Sequence, residues 1–149
     1  METEHILQIA SKIMKDLGAG YSETIYQNAL HRKLARLDGT CVMEKSIPVV
    51  YEGDILGTCR ADIVLDGHVI EVKAVRKMPS GAEKQVGKYV RHLLELDGKV
   101  KKGIVINFNQ ETEQIETLES KIHEPLPSAE EATSAPKRRK ITPIGMDDP

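Results

Sequence analysis

Two carboxylates and a lysine share one short stretch, Arg60-Ala61-Asp62-Ile63-Val64-Leu65-Asp66-Gly67-His68-Val69-Ile70-Glu71-Val72-Lys73. Asp66-Gly67 signals a two-residue hairpin turn, because both central residues must take positive φ and the flanking runs are rich in β-branched and aliphatic residues. A two-residue loop sets Leu65 opposite His68, Ile63 opposite Ile70, Asp62 opposite Glu71 and Arg60 opposite Lys73. Alternation along a strand then puts Arg60, Asp62, Glu71 and Lys73 on one face, and Ile63, Ile70 and Val72 on the other. Like charges placed directly opposite destabilise a strand pair by roughly 0.2–1 kcal/mol. A divalent cation removes that repulsion, and carboxylate oxygens are the ligands that Mg²⁺ and Mn²⁺ prefer. Lys73 would then reach a metal-bound water or a phosphate oxygen. The pattern leaves a second reading open, a surface charge cluster in which Arg60 and Lys73 compensate Asp62 and Glu71.

Helices must bring further groups to this hairpin. Ile6, Ile9, Ile13 and Leu17, with Met14, recur at helical spacing from Met1 to about Leu17, and Gly18-Ala19-Gly20 ends that helix. A second helix is predicted from about Ser22, its N-cap, to Leu37, with Ile25, Ala29, Leu30, Leu34 and Leu37 facing inward. Glu23 and Tyr26 lie on one side of it. The macrodipole alone favours a carboxylate at Glu23, and the alternative is an acid aimed at the hairpin. Val42 to Val50 reads as an extended segment on an edge, because Pro48 cannot donate to a central ladder. Glu52-Gly53-Asp54 supplies a turn and Gly57 another.

After the hairpin, Ser80-Gly81-Ala82-Glu83 reads as a capping box that opens a third helix to about Leu96. Its core stripe is Val86, Val90, Leu93 and Leu94, beside a polar stripe of Gln85, Tyr89 and His92 that reads equally as a solvated face. Lys102 to Phe108 is a nearly continuous apolar run, a buried strand after a crossover helix, so strand, helix and strand form a βαβ unit. Gln114 to Leu118 adds an edge strand.

The chain has 149 residues and 40% hydrophobic content, with no Trp and one Phe, so one domain with an aliphatic core is expected over residues 1–122. A net charge of -2 provides no global attraction to nucleic acid, and any such binding must come from a local patch. Cys41 and Cys59 are too few and too isolated for a zinc site and read as buried reduced thiols. The five histidines lack ligand spacing. Charges at Glu2, Glu4, Lys12 and Lys15 interrupt any signal peptide, and no stretch is long enough to span a bilayer, so neither secretion nor a membrane is expected.

Residues 123–149 are rich in Pro, Ser, Ala, Glu and Thr without periodicity, and a disordered tail is expected there. It carries Pro136-Lys137-Arg138-Arg139-Lys140, which reads as a nuclear import signal for an import receptor, as a non-specific phosphate-binding patch, or as a solubilising charge run. The import reading places the protein in the nucleus, the host nucleus if the source is viral. The cytoplasm is the location otherwise.

Gly20-Tyr21-Ser22-Glu23-Thr24-Ile25-Tyr26, followed by Arg60-Ala61-Asp62 and Glu71-Val72-Lys73, resembles the signature of the GxxExxY family within the PD-(D/E)XK nuclease superfamily. The resemblance covers roughly Ile6 to Phe108. It implies an α/β restriction-endonuclease-like core, a central mixed sheet with the site-bearing hairpin and flanking helices. It also implies that Asp62 and Glu71, with the Val72 carbonyl, hold Mg²⁺ or Mn²⁺. Lys73 would be the lysine beside the attacking water, and Glu23 an acid that holds a second metal through water or helps as a base. Gln85 and Tyr89 match a Gln-x-x-x-Tyr element that supports the site in a RecB-like subset. Ala61 departs from the superfamily's proline, at a position that is not a ligand. The implied activity is metal-assisted phosphodiester hydrolysis, most readily of DNA, by an enzyme of a fold that often dimerises. The competing expectation is a catalytically silent nucleic-acid-binding or adaptor module of the same fold.

Overall fold

The computed structural model describes residues 1–120. The expected tail over 123–149, with its basic cluster Pro136 to Lys140, lies outside the described residues. Helices α1 (Thr3–Leu17) and α2 (Glu23–Leu37) precede strands β1 (Val42–Tyr51), β2 (Asp54–Leu65) and β3 (His68–Lys73). Helix α3 (Ala82–Leu96) crosses over to β4 (Lys102–Phe108), and β5 (Ile115–Ser120) follows. The strands form one mixed sheet in the order β1-β2-β3-β4-β5, with β3 and β4 parallel and the other pairs antiparallel. One buried apolar cluster joins α1 and α2 to Ile63, Ile70, Val72, Ile104 and Ile106. A second joins α3 to Val69, Val105, Ala61 and Ile47. The sheet is therefore sandwiched between helices, as the βαβ pattern requires.

The hairpin turn forms as its residues dictate, with Asp66 at φ 44 and Gly67 at φ 81. Leu65 pairs with His68 and Ile63 with Ile70. Pro48 lies on β1, which is an edge strand as expected. Gly57 does not turn the chain. It runs within β2 opposite Val49, and a register shift between Val49 and Val50 absorbs the irregularity. The turn is Glu52-Gly53 alone, at φ 50 and 84, between paired Tyr51 and Asp54.

The helices differ from expectation in which residues face inward. In α1 the buried set is Ile6, Ala10, Ile13 and Met14, while Leu17 is exposed. In α2 the buried set is Tyr26, Gln27, Leu30 and Leu34, whereas Ile25 and Leu37 are exposed. The Tyr26 ring stacks on Phe108 with centroids 4.7 Å apart and planes at 13°, and this contact turns α2 away from its Ile25 side. Ser22 occupies the N-cap in extended conformation, but its side chain makes no capping bond. The Ser80 capping box does not form either. Gly81, at φ 82, is the N-cap of α3, so Ser80 lies one residue too early. Against the sheet, α3 packs at Gly103, where a Cβ would meet Val86 Cγ2 at 2.9 Å.

Candidate metal and catalytic site

Asp62 does not sit in a ladder opposite Glu71. The β2–β3 pairing ends at Ile63 and Ile70, and Asp62 Oδ2 instead accepts the Val72 backbone N–H at 2.8 Å. The sheet is irregular there. Glu44, between the β1 residues that pair with Ile63 and Ala61, takes φ 55. Along β2 the buried side chains change clusters there, Ala61 packing with α3 and Ile63 with α1 and α2. The expected four-charge face is thereby broken. Arg60 pairs with exposed Glu44 at 3.3 Å, and the two act on Asp62 through their charges alone, Glu44 raising its acid and Arg60 lowering it.

What remains together is three acids and a lysine. Glu71 is buried, and its Oε1 has no hydrogen-bond partner. Burial first, then the charges of Asp62 and Glu23, push its acid up to about 7 against the pull of Lys73. Burial also raises Asp62, opposed by the Val72 N–H and by Lys73. Glu23 is raised by burial and by the charge of Asp62, again against Lys73. Thus Glu23, from the start of α2, and Lys73, from the end of β3, share one field with the hairpin carboxylates. Val72 contributes its backbone N–H here, while its side chain is fully buried in the core.

From the other face of the sheet, α3 brings Tyr89. Burial first and then the charge of Glu71 raise its phenol. Gln85 donates through Nε2 to Tyr89 Oη at 3.1 Å and is itself exposed. Two of the three residues of the polar stripe, Gln85 and Tyr89, thus form a bonded pair on which the charge of Glu71 acts, and His92 is not part of that bond.

Several residues that hold the site, Tyr26 apart, were not singled out from sequence. Buried Gln27 donates to the Asp62 carbonyl at 3.3 Å. Tyr26 Oη donates to the Gly18 carbonyl at 2.6 Å and accepts from Gln110 Nε2 at 3.1 Å. Gln110 Oε1 in turn accepts the Gly20 N–H at 2.7 Å, fixing the loop that leads to Glu23. Beyond Lys73, Asn107 Oδ1 accepts the Val75 N–H at 2.9 Å, and Asn109 Nδ2 donates to the Arg76 carbonyl at 3.0 Å. Both asparagines also donate to Glu116 Oε1, which lowers its acid, Asn109 acting more strongly than Asn107. Their signal in the sequence was Ile106-Asn107-Phe108-Asn109, amides interrupting an otherwise apolar strand end.

Among the described residues no group of three or more His, Cys, Asp or Glu side chains is arranged to hold a metal ion. Two carboxylates suffice for Mg²⁺, which keeps several waters of its own. An unpartnered buried carboxylate oxygen beside a second carboxylate is a poor place for a bare charge and a fitting one for a hard cation. The donor set therefore fits a divalent ion held by Asp62 and Glu71.

A sequence profile of the PD-(D/E)XK nuclease superfamily matches residues 1–118. The chain belongs to this superfamily. PD-(D/E)XK nucleases are hydrolases that generally use divalent metals such as Mg²⁺ or Mn²⁺, and the mixed sheet between helices accords with their restriction-endonuclease-like fold. Comparison with curated proteins found no match. The crystal structure of SSO0001 is similar over 85% of this chain and 79% of that one, at 17% identity and a TM-score of 0.42. At that score the likeness carries no inference.

Proposed function

We propose that this PD-(D/E)XK protein, of the GxxExxY type, is a nuclease that hydrolyses phosphodiester bonds in DNA with Mg²⁺ or Mn²⁺. The observation that carries the reading is the buried, unpartnered Oε1 of Glu71 in the shared field of Asp62, Glu23 and Lys73. Asp62 and Glu71, with the Val72 carbonyl, would hold the cation. Bound there, it would supply Lewis acidity toward the phosphoryl oxygens and a nucleophilic water at neutral pH.

The chain's own groups do the rest. Lys73 orients the attacking water and offsets negative charge as it builds on the phosphoryl oxygens. Glu23, whose acid is raised by burial, accepts the water's proton more readily than an ordinary carboxylate would. Tyr89, bonded to Gln85, lies close enough to feel the charge of Glu71 and supports that side of the site. Asp62, tied to the Val72 N–H, is held in place before the cation arrives.

The test is cleavage of labelled single-stranded, duplex and branched DNA with Mg²⁺ or Mn²⁺. Wild type is expected to cut at least one of them, and Lys73→Ala to lose about 10²-fold or more in rate while the fold is retained. No cleavage of any substrate by wild type would favour the silent binding or adaptor module instead.

A further inference from the structure

We propose that the cleft between α2 and β1, lined by Asn28, His31, Arg32, Ala35, Arg36 and Met43, binds backbone phosphates of the nucleic acid beside the bond to be cut. This rests on the nuclease reading and extends it to how the substrate is held. The cleft encloses about 480 Å³, and no carboxylate lines it. Arg32 and Arg36 are exposed and one turn apart, and among the described residues neither forms an ion pair. Like charges at that spacing repel. The nearby acid Glu44 is already taken by Arg60. In a chain of net charge -2, two unneutralised guanidiniums on the wall of a cleft call for an anion, and their planar forks match phosphate oxygens.

The position of the cleft identifies that anion. Met43 pairs with Ile63, the residue after Asp62. Gln27, the neighbour of Asn28, donates to the Asp62 carbonyl. Glu23 opens the same helix. At about 1.5 Å per residue, Asn28 lies roughly 7.5 Å from Glu23 along the axis and Arg36 roughly 20 Å. The cleft therefore lies along the helix that Glu23 opens, and it extends away from Glu23 over a length that spans several nucleotides of a strand.

The experiment is fluorescence anisotropy of a labelled DNA duplex in EDTA, where no cleavage intervenes, across a series of KCl concentrations. Arg32→Ala/Arg36→Ala is expected to weaken binding about ten-fold at low salt and to flatten the log–log salt slope by about 2, each phosphate contact adding about 0.9. Arg32→Lys/Arg36→Lys should restore the slope. Lys33→Ala, on the side of α2 that faces α1, should leave binding and slope unchanged. A double alanine variant with the wild-type slope, an equal effect of Lys33→Ala, or no salt-dependent binding by wild type would overturn the proposal. Because binding is read without metal, a protein that binds through these arginines but never cuts would overturn the nuclease reading and leave the cleft standing.

Discussion

Glu71 keeps a carboxylate oxygen that no donor reaches, and its acid, near 4.5 in the unfolded chain, rises to about 7 in the fold. A carboxyl raised in this way contributes stability that is fully present below about 4.5 and lost as the pH climbs through about 7. Asp62 and Glu23 shift in the same direction. The metal-free protein is therefore expected to become less stable between pH 5 and pH 8. Glu71→Gln should recover about 1–2 kcal/mol at pH 8, allowing for solvent screening, and almost nothing at pH 4.5, as read by urea unfolding. Mg²⁺ should stabilise wild type more at pH 8 than at pH 5.5 and have little effect on the Gln variant. The turn and the positions of Asp62, Glu71 and Lys73 beyond it were legible from spacing, although the direct Asp62–Glu71 register was not met, whereas Glu23 and the Gln85–Tyr89 pair were assigned to the site by the family resemblance and not by their spacing. The bond from the Val72 N–H to Asp62 was not legible, since a two-residue turn implies a regular ladder and the β2–β3 pairing stops at Ile63 and Ile70. Gln27 and Gln110 were equally hidden, each reading as an ordinary polar position.

At the scale of elements, the turn signal at Asp66-Gly67 was fully legible, because two positive φ values leave few residues eligible. A Cβ at Gly67 would lie 2.9 Å from the Lys99 carbonyl oxygen, on top of the left-handed φ. Gly67→Ala is expected to cost about 1–3 kcal/mol in chemical denaturation and to reduce cleavage by loosening the carboxylates' support. The roll of α2 was not legible. Ile25 is the more apolar choice, yet the Tyr26 stack on Phe108 and its bonds to Gly18 and Gln110 decide which side goes in. Tyr26→Phe keeps the stack and removes those bonds. It should lower stability by about 1–2 kcal/mol and slow cleavage, because the loop before Glu23 loses an anchor. The capping box at Ser80 failed for a similar reason, a left-handed Gly81 taking the cap.

Across the whole molecule, hydrophobic patterning sufficed for a hairpin, a βαβ unit and a strand covered on both faces, and the mixed sheet between helices followed from the family resemblance. Composition alone concealed the charge distribution. A chain of net charge -2 gathers three acids at one end of α2 and, along its flank, two arginines that form no ion pair among the described residues. The import reading of Pro136 to Lys140 stands on the sequence alone, and its expected outcome is that a fluorescent fusion with Lys137, Arg138, Arg139 and Lys140 replaced by alanine is excluded from nuclei. Unchanged nuclear accumulation would refute it. The central claim is that the Asp62–Glu71 pair is a cation site. Anomalous diffraction from crystals soaked in Mn²⁺ tests it most directly: the expected result is a peak bridging Asp62 and Glu71 Oε1 that vanishes in Glu71→Gln. Ordered crystals with no peak there at saturating Mn²⁺, or with the same peak in the Gln variant, would contradict it.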